Sequence, residues 1–247
     1  MKIENVLSAK GLQSASPTVS RAERKIAFLL LFTGIALVAS NANFSQVLGG
    51  EPNQTFTFFQ FMGPIAGGFL GAGAGVLSVM LAQVISFVYL GKSPELINIL
   101  RLAPMLFAAL YFAKYGRGKI VQAAVPLACM ALFMLHPVGG QVWFYSLYWL
   151  VPPIALMLPE KLLARSFGAT FTAHSIGSIA WLYLIPSTPA FWLALIPVVA
   201  FERTLFALGI SASYVAFNTV LSRVEAVAKS GFVAIDARYV LMAQKAA

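Results

Sequence analysis

The stretch FMGPIAGGFLGAGAG, residues 61–75, decides how the rest of the chain is read. Gly63, Gly67, Gly71 and Gly75 recur every fourth residue, with Gly68 and Gly73 beside them. On a helix this spacing makes a stripe without side chains, where another backbone comes close. Pro64 removes a donor from the helical ladder, so the stretch equally suits a broken helix or a tight turn. The stripe serves either ordinary helix packing or a docking or moving surface.

The apolar block around it, residues 56–91, is too long for one ordinary span. As one tilted helix it sends Lys114, Arg117 and Lys119 to the outer face. As two short helices turning within residues 63–75, it returns them to the cytoplasm. The second arrangement puts 14 of the 17 basic residues inside, leaving Lys92 in an outer loop and Arg101 and Arg203 within spans. The bias of Lys and Arg toward the cytoplasm selects it.

Further apolar blocks cover residues 27–41, 97–113, 120–136, 142–158, 166–185 and 191–224. Together they predict an all-α, polytopic helical membrane protein with about eight spans, both termini cytoplasmic, in the cell membrane. The expected division is a cytoplasmic segment over residues 1–25, a transmembrane domain over 26–224 and a cytoplasmic tail over 225–247. Composition agrees: 60% of the 247 residues are hydrophobic and 10% charged, against roughly 25% charged in soluble domains. The net charge of +9 sits between apolar blocks and at the ends, as topology signals do, so nucleic acid is not an expected partner. Membrane lipids are.

Charges at bilayer depth face a bundle interior or a partner. Glu202 and Arg203 fall roughly 18 Å below the outer end of the last block, and His174 about 12 Å above the inner end of its own, at 1.5 Å per residue. His174 and Glu202 therefore share a depth, and a hydrogen bond between them is expected, as a polar clamp or as part of ligand or subunit coupling. Toward the outer side stand Gln83, Glu95, Asn98, Arg101 and Gln141, with the aromatics Trp143, Tyr145, Tyr148, Trp181, Tyr183 and Trp192. Such aromatics form an interfacial belt, or the walls of an outward-facing pocket whose polar groups come from the first set.

Several chemistries have no support. No GxxxxGK[ST] loop is present to cradle a nucleotide triphosphate. The two histidines, His136 and His174, belong to no HExxH or metal-ligand cluster. His174 and Ser175 point around the helix from each other, and no GxSxG elbow occurs. Neither catalytic residues, nor a metal, nor a cofactor is predicted, and the chain reads as a non-enzyme.

Three stretches together carry a family resemblance: FMGPIAG at 61–67, FGATFTAHSIG at 167–177, and IPVVAFER at 196–203 leading to Phe206 and Gly209. They resemble the substrate-capture (S) subunits of energy-coupling-factor transporters. The resemblance implies capture of a vitamin or similar small nutrient, and transfer to a transmembrane coupling protein driven by two ATPases. It implies docking through small residues of the first helix, here Ala36 and Ser40 with Gly34 and Ala39 nearby. Helix packing or coupling would also involve Gly63, Gly67, Gly71, Gly75, His174, Glu202 and Arg203. It places the solute near residues 41–60, 95–101 and 181–192. Such subunits have six helices, so residues 120–158 are expected to add two spans to a six-helix core with a short Gly-rich second and third helix. The competing expectation is a non-catalytic structural subunit of a larger membrane complex.

Overall fold

The computed structural model describes residues 20–46, 55–228 and 231–241. Helix α1, Arg21–Asn41, opens with a capping box: Ser20 Oγ accepts from the Glu23 backbone N–H at 3.2 Å, and Glu23 Oε2 accepts from the Ser20 N–H at 2.7 Å. These bonds satisfy donors that a helix start leaves open. A short antiparallel ribbon follows, β1 (Asn43–Gln46) with β2 (Thr55–Thr57), Asn43 opposite Thr57 and Gln46 opposite Thr55. Residues 47–54 of the expected solute region, and 1–19 of the expected N-terminal segment, lie outside the described residues.

Helix α2, Phe59–Tyr89, contains the glycine stretch and is broken at Gly71, whose φ of 80° and ψ of 176° are not helical. The chain doubles back there. A Cβ built on Gly75 would lie 2.5 Å from the Gly67 Cα, whereas residues eight apart in an unbroken helix are about 12 Å apart. The first arm also lies against α4, Ala103–Lys114. A Cβ on Gly67 would clash with the Ala109 carbonyl oxygen, and one on Gly63 would meet the Met105 Cε at 2.6 Å. Gly63, Gly67 and Gly75 are buried in these contacts, while Gly71 is exposed.

Gly67→Ala is therefore expected to destabilise the protein by about 1–3 kcal/mol, the range for overpacking. Gly73→Ala, with nothing within 4 Å of the new methyl, should be neutral or stabilising by up to about 1 kcal/mol, since alanine is the better helix former. Thermal unfolding of the two variants in one detergent tests the contrast.

Beyond α2 come α3 (Leu96–Leu100), α4, α5 (Lys119–Leu135), α6 (Pro137–Gln141), a 3-10 helix over Trp143–Leu150, α7 (Val151–Met157), α8 (Leu162–Leu184), α9 (Pro189–Arg223) and α10 (Glu225–Ala228). The class is all-α, but the eight-span arrangement is overturned, and with it the six-helix core carrying two extra spans. Among the described residues three segments are long and apolar enough by length and composition to cross a membrane: Leu96–Lys114, Pro189–Arg223 and Phe59–Tyr89, the last counted across its reversal at Gly71. Residues 142–158 form no single helix; the tight 3-10 turns pass into a seven-residue helix at Pro152 and Pro153. At 17 residues, α5 is about 26 Å long, short of the roughly 30 Å hydrocarbon layer. The first turn of α1 holds Glu23, Arg24 and Lys25, and Arg165, His174 and several hydroxyls dilute α8.

The outer surface supports a multi-pass membrane arrangement. Large apolar side chains face outward along several helices, including Val38 at 74% exposure, Val88 at 72% and Leu135 at 79%. Lipid solvates such side chains and water does not.

Two hydrophobic clusters fill the interior. One joins α1, α2, α4, α8 and α9 around Phe32, Phe69, Phe112 and Tyr214. The other is an aromatic box in which Phe133 of α5 lies 5.5 Å from Tyr145, 5.2 Å from Trp149 and 5.1 Å from Trp192 between ring centres. Residues 120–158 thus build an inward wall. Tyr111 secures that wall to α4 by donating to the Pro152 carbonyl at 2.8 Å, and Gly168 leaves room for the Tyr111 ring.

At the far end of α9 the chain turns under the bundle. The Ala234 N–H donates to the Phe69 carbonyl at 2.9 Å, the Asp236 N–H to Asn218 Oδ1 at 2.7 Å, and the Leu241 N–H to Thr219 Oγ1 at 3.0 Å. Arg238 holds the Asp236 carboxyl below the usual carboxylate range by donating hydrogen bonds to it. Asn218 is fully buried and also donates to the Tyr214 carbonyl. Asn218→Ala should cost about 1–3 kcal/mol by orphaning the Asp236 N–H. Faster proteolysis between residues 231 and 241, compared with wild type, is the accompanying sign.

Candidate functional site

A cavity of about 280 Å³ opens at the end of the bundle opposite this tail. Its walls come from β2, the start of α2, the second arm of α2, the α3–α4 turn, the 3-10 helix, α8 and α9. Thr188 caps α9 there, its Oγ1 accepting from the Phe191 N–H at 3.3 Å, and Pro189 follows in the first turn. That cap sets Phe191 and Trp192 at the cavity, and Trp192 is tied by an indole N–H donated to Ser187 Oγ at 3.0 Å.

His174 lies on the cavity wall as a hydrogen-bonding centre. The Trp149 indole N–H donates to His174 Nδ1 at 3.1 Å, while Nε2 lies 3.1 Å from Tyr145 Oη and 3.3 Å from Ser178 Oγ. An indole nitrogen only donates, so Nδ1 carries a lone pair and the ring is neutral with its proton on Nε2. The expected His174–Glu202 hydrogen bond is not formed: each has other partners. Equal depth along two helices leaves the azimuth open, and the 3-10 helix takes the histidine.

Glu202 pairs with Arg203 instead. Arg203 Nη2 lies 3.6 Å from Glu202 Oε2, with both side chains less than a tenth exposed. Arg203 Nη1 donates to Thr170 Oγ1 at 3.5 Å, and the guanidinium sits 4.6 Å from the Phe206 ring centre. Glu202 Oε1 and Arg203 Nε have no hydrogen-bond partner among the described residues. Both atoms are buried, so the pair keeps an unmet hydrogen-bonding need inside the bundle wall.

At the outer part of the cavity Arg101 stands 5.5 Å from the centre of the Trp181 ring, a cation–π distance. Gln83 also lines the cavity and donates to the Leu102 carbonyl at 3.0 Å, which steadies the α3–α4 turn beneath Arg101.

The structure brings Gln83, Arg101, Tyr145, Trp181 and Trp192 into this cavity, and His174, Glu202 and Arg203 with them. Glu95, Asn98 and Trp143 are not in its wall. Glu95 accepts from Ser93 Oγ and Asn98 donates to the Ser93 carbonyl, closing the loop on itself, while Trp143 is 51% exposed. Ala36 is buried in the α1–α2 core and the Ser40 hydroxyl donates to the Leu37 carbonyl.

Ser178 also lines the cavity and lies outside the expected regions, while Phe56, Phe59 and Phe191 line it from within the stretches 41–60 and 181–192 without having been singled out individually. Ser178 follows His174 by one helical turn and was legible on that ground; the phenylalanines carry no signal separating a cavity wall from lipid contact. Among the described residues no group of three or more His, Cys, Asp or Glu is placed to hold a metal ion. Comparison with protein-family models, curated proteins and solved structures gives no match.

Proposed function

We propose that this protein is the membrane substrate-binding subunit of an importer for a vitamin or similar small nutrient, handing its solute to a separate ATP-driven coupling module. The observation that carries the reading is the cavity itself. Aromatic walls surround a few converging polar groups, among them a buried, incompletely paired Glu202–Arg203 couple. This is the composition of a small-molecule site, and its volume of about 280 Å³ falls just below the roughly 300–1,000 Å³ such sites usually occupy, room for a small solute only. A polar clamp that only joined helices would close on its own partners and leave no space beside them. The resemblance in residues 61–67, 167–177 and 196–209 supports the division of labour, with the coupling protein and its ATPases as partners. The cavity end then faces outward, with the tail at residues 231–241 in the cytoplasm.

Native mass spectrometry on protein gently extracted from its own membrane tests this. The expected spectrum shows a small molecule bound to the chain, together with a coupling protein and ATPase subunits. A ligand-free chain held among unrelated membrane subunits contradicts it and favours a structural subunit.

A further inference from the structure

At the His174 corner of the cavity, more polar hydrogens meet than the corner can place. Trp149, fully buried behind the wall, donates its indole N–H to His174 Nδ1 at 3.1 Å. Nδ1 keeps a lone pair to accept it, and an added proton there would set N–H against N–H. Nε2 therefore carries the ring hydrogen, and it faces two hydroxyls, Tyr145 Oη at 3.1 Å and Ser178 Oγ at 3.3 Å. Both hydroxyls can only accept from it, so each still has its own hydrogen to place.

Neither hydroxyl has another hydrogen-bond partner among the described residues. Ser178 departs here from its own helix. Thr172 and Ser175 donate to the carbonyls of Gly168 and Thr172 at 2.7 and 2.8 Å, whereas Ser178 turns to the histidine. A bond between the two hydroxyls would use one of their hydrogens and leave the other. At least one O–H donor thus remains where Tyr145, His174 and Ser178 line the cavity, beside a histidine that is half-buried.

We propose that Trp149, by fixing the His174 tautomer, makes this corner a hydrogen-bond donor, and that the solute sets an acceptor against it, a carbonyl oxygen or an aromatic ring nitrogen. This deepens the solute-site reading and rests on it. A solute offering only an N–H or O–H there meets donor against donor and leaves hydrogens unpaired. Trp149 is a positioning residue, since it bonds to the histidine and does not line the cavity.

The full-length protein in lipid nanodiscs serves for both tests. Its two histidines are His136 and His174, so His136→Asn assigns the side-chain nitrogen NMR spectrum. His174 should show Nδ1 unprotonated and Nε2 protonated, with the two tautomers mixing in Trp149→Phe. Pyridine and pyrrole are the binding probes, flat rings of similar size of which the first only accepts and the second only donates. Pyridine should bind about tenfold more tightly, roughly one hydrogen bond gained against one blocked. The preference should vanish in Tyr145→Phe/Ser178→Ala. A proton on Nδ1 in wild type overturns the proposal, as does a tautomer unchanged in Trp149→Phe. Equal binding of the two rings, or a preference that survives the double variant, overturns it too. So does a protein that binds neither ring while retaining another molecule from its membrane. A protein that binds neither and retains nothing overturns the solute-site reading itself.

Discussion

Arg203→Leu should destabilise the protein by about 3–5 kcal/mol, the cost of stranding one member of a buried ion pair. Glu202 would remain beside the cavity with its side chain 9% exposed and no counter-charge. The hydrogen bond to Thr170 and the guanidinium contact with Phe206 would go with it. The double variant Glu202→Gln/Arg203→Leu should recover much of that loss, because no charge is then left unpaired. Solute binding should be lost in both. Thermal and denaturant unfolding in a fixed detergent, run on the single and double variants, separates the electrostatic effect from packing. Equal destabilisation of the two would show that the charge itself is immaterial there.

Gly177→Leu acts in the opposite sense, abolishing binding while preserving the fold. Gly177 lines the cavity, and a Cβ built on it meets only Pro104 Cγ at 3.7 Å, an ordinary contact. The longer side chain enters the empty space, so the variant should be as stable as wild type or more so. Affinity for the solute should fall about 100-fold or more, since the leucine takes room the ligand needs. Isothermal titration beside a melting curve checks both halves. Unimpaired binding by a well-folded Gly177→Leu protein would move the site elsewhere.

Much of the site was legible because charge at membrane depth is rare. Glu202, Arg203 and His174 stand out in an apolar sequence, and helix rise alone gives their level. Arg101 and Trp181 were readable for the same reason, one as an embedded charge and the other as an aromatic near a span end. What rise does not give is rotation about the helix axis. Glu202 takes its own neighbour as partner, and His174 is met by Trp149 and Tyr145 from a segment whose apolar content resembles a membrane crossing.

That segment also explains the span count. The run WFYSLYWL at 143–150 is as apolar as a transmembrane helix, yet its Tyr145 and Trp149 turn inward against Phe133. A hydropathy window counts apolar side chains whether lipid or protein surrounds them. The glycine stretch carried more geometric information. Side-chain-free positions at every fourth residue announced close backbone approach, and Gly71 with its positive φ is where the chain reverses. The sequence did not show that the approaching backbone belongs to the same chain, at Ala109 and at the returning arm of α2.

We propose that the cavity between Trp181 and Glu202 holds a small solute. The most direct test is an electron cryo-microscopy map of the protein extracted gently from its own membrane, with a rigid binder attached for alignment. A discrete solute density in that space, absent in Gly177→Leu, is the expected result. A cavity holding only ordered water or a lipid tail, or walls collapsed so that Glu202 and Arg203 satisfy each other, would contradict it.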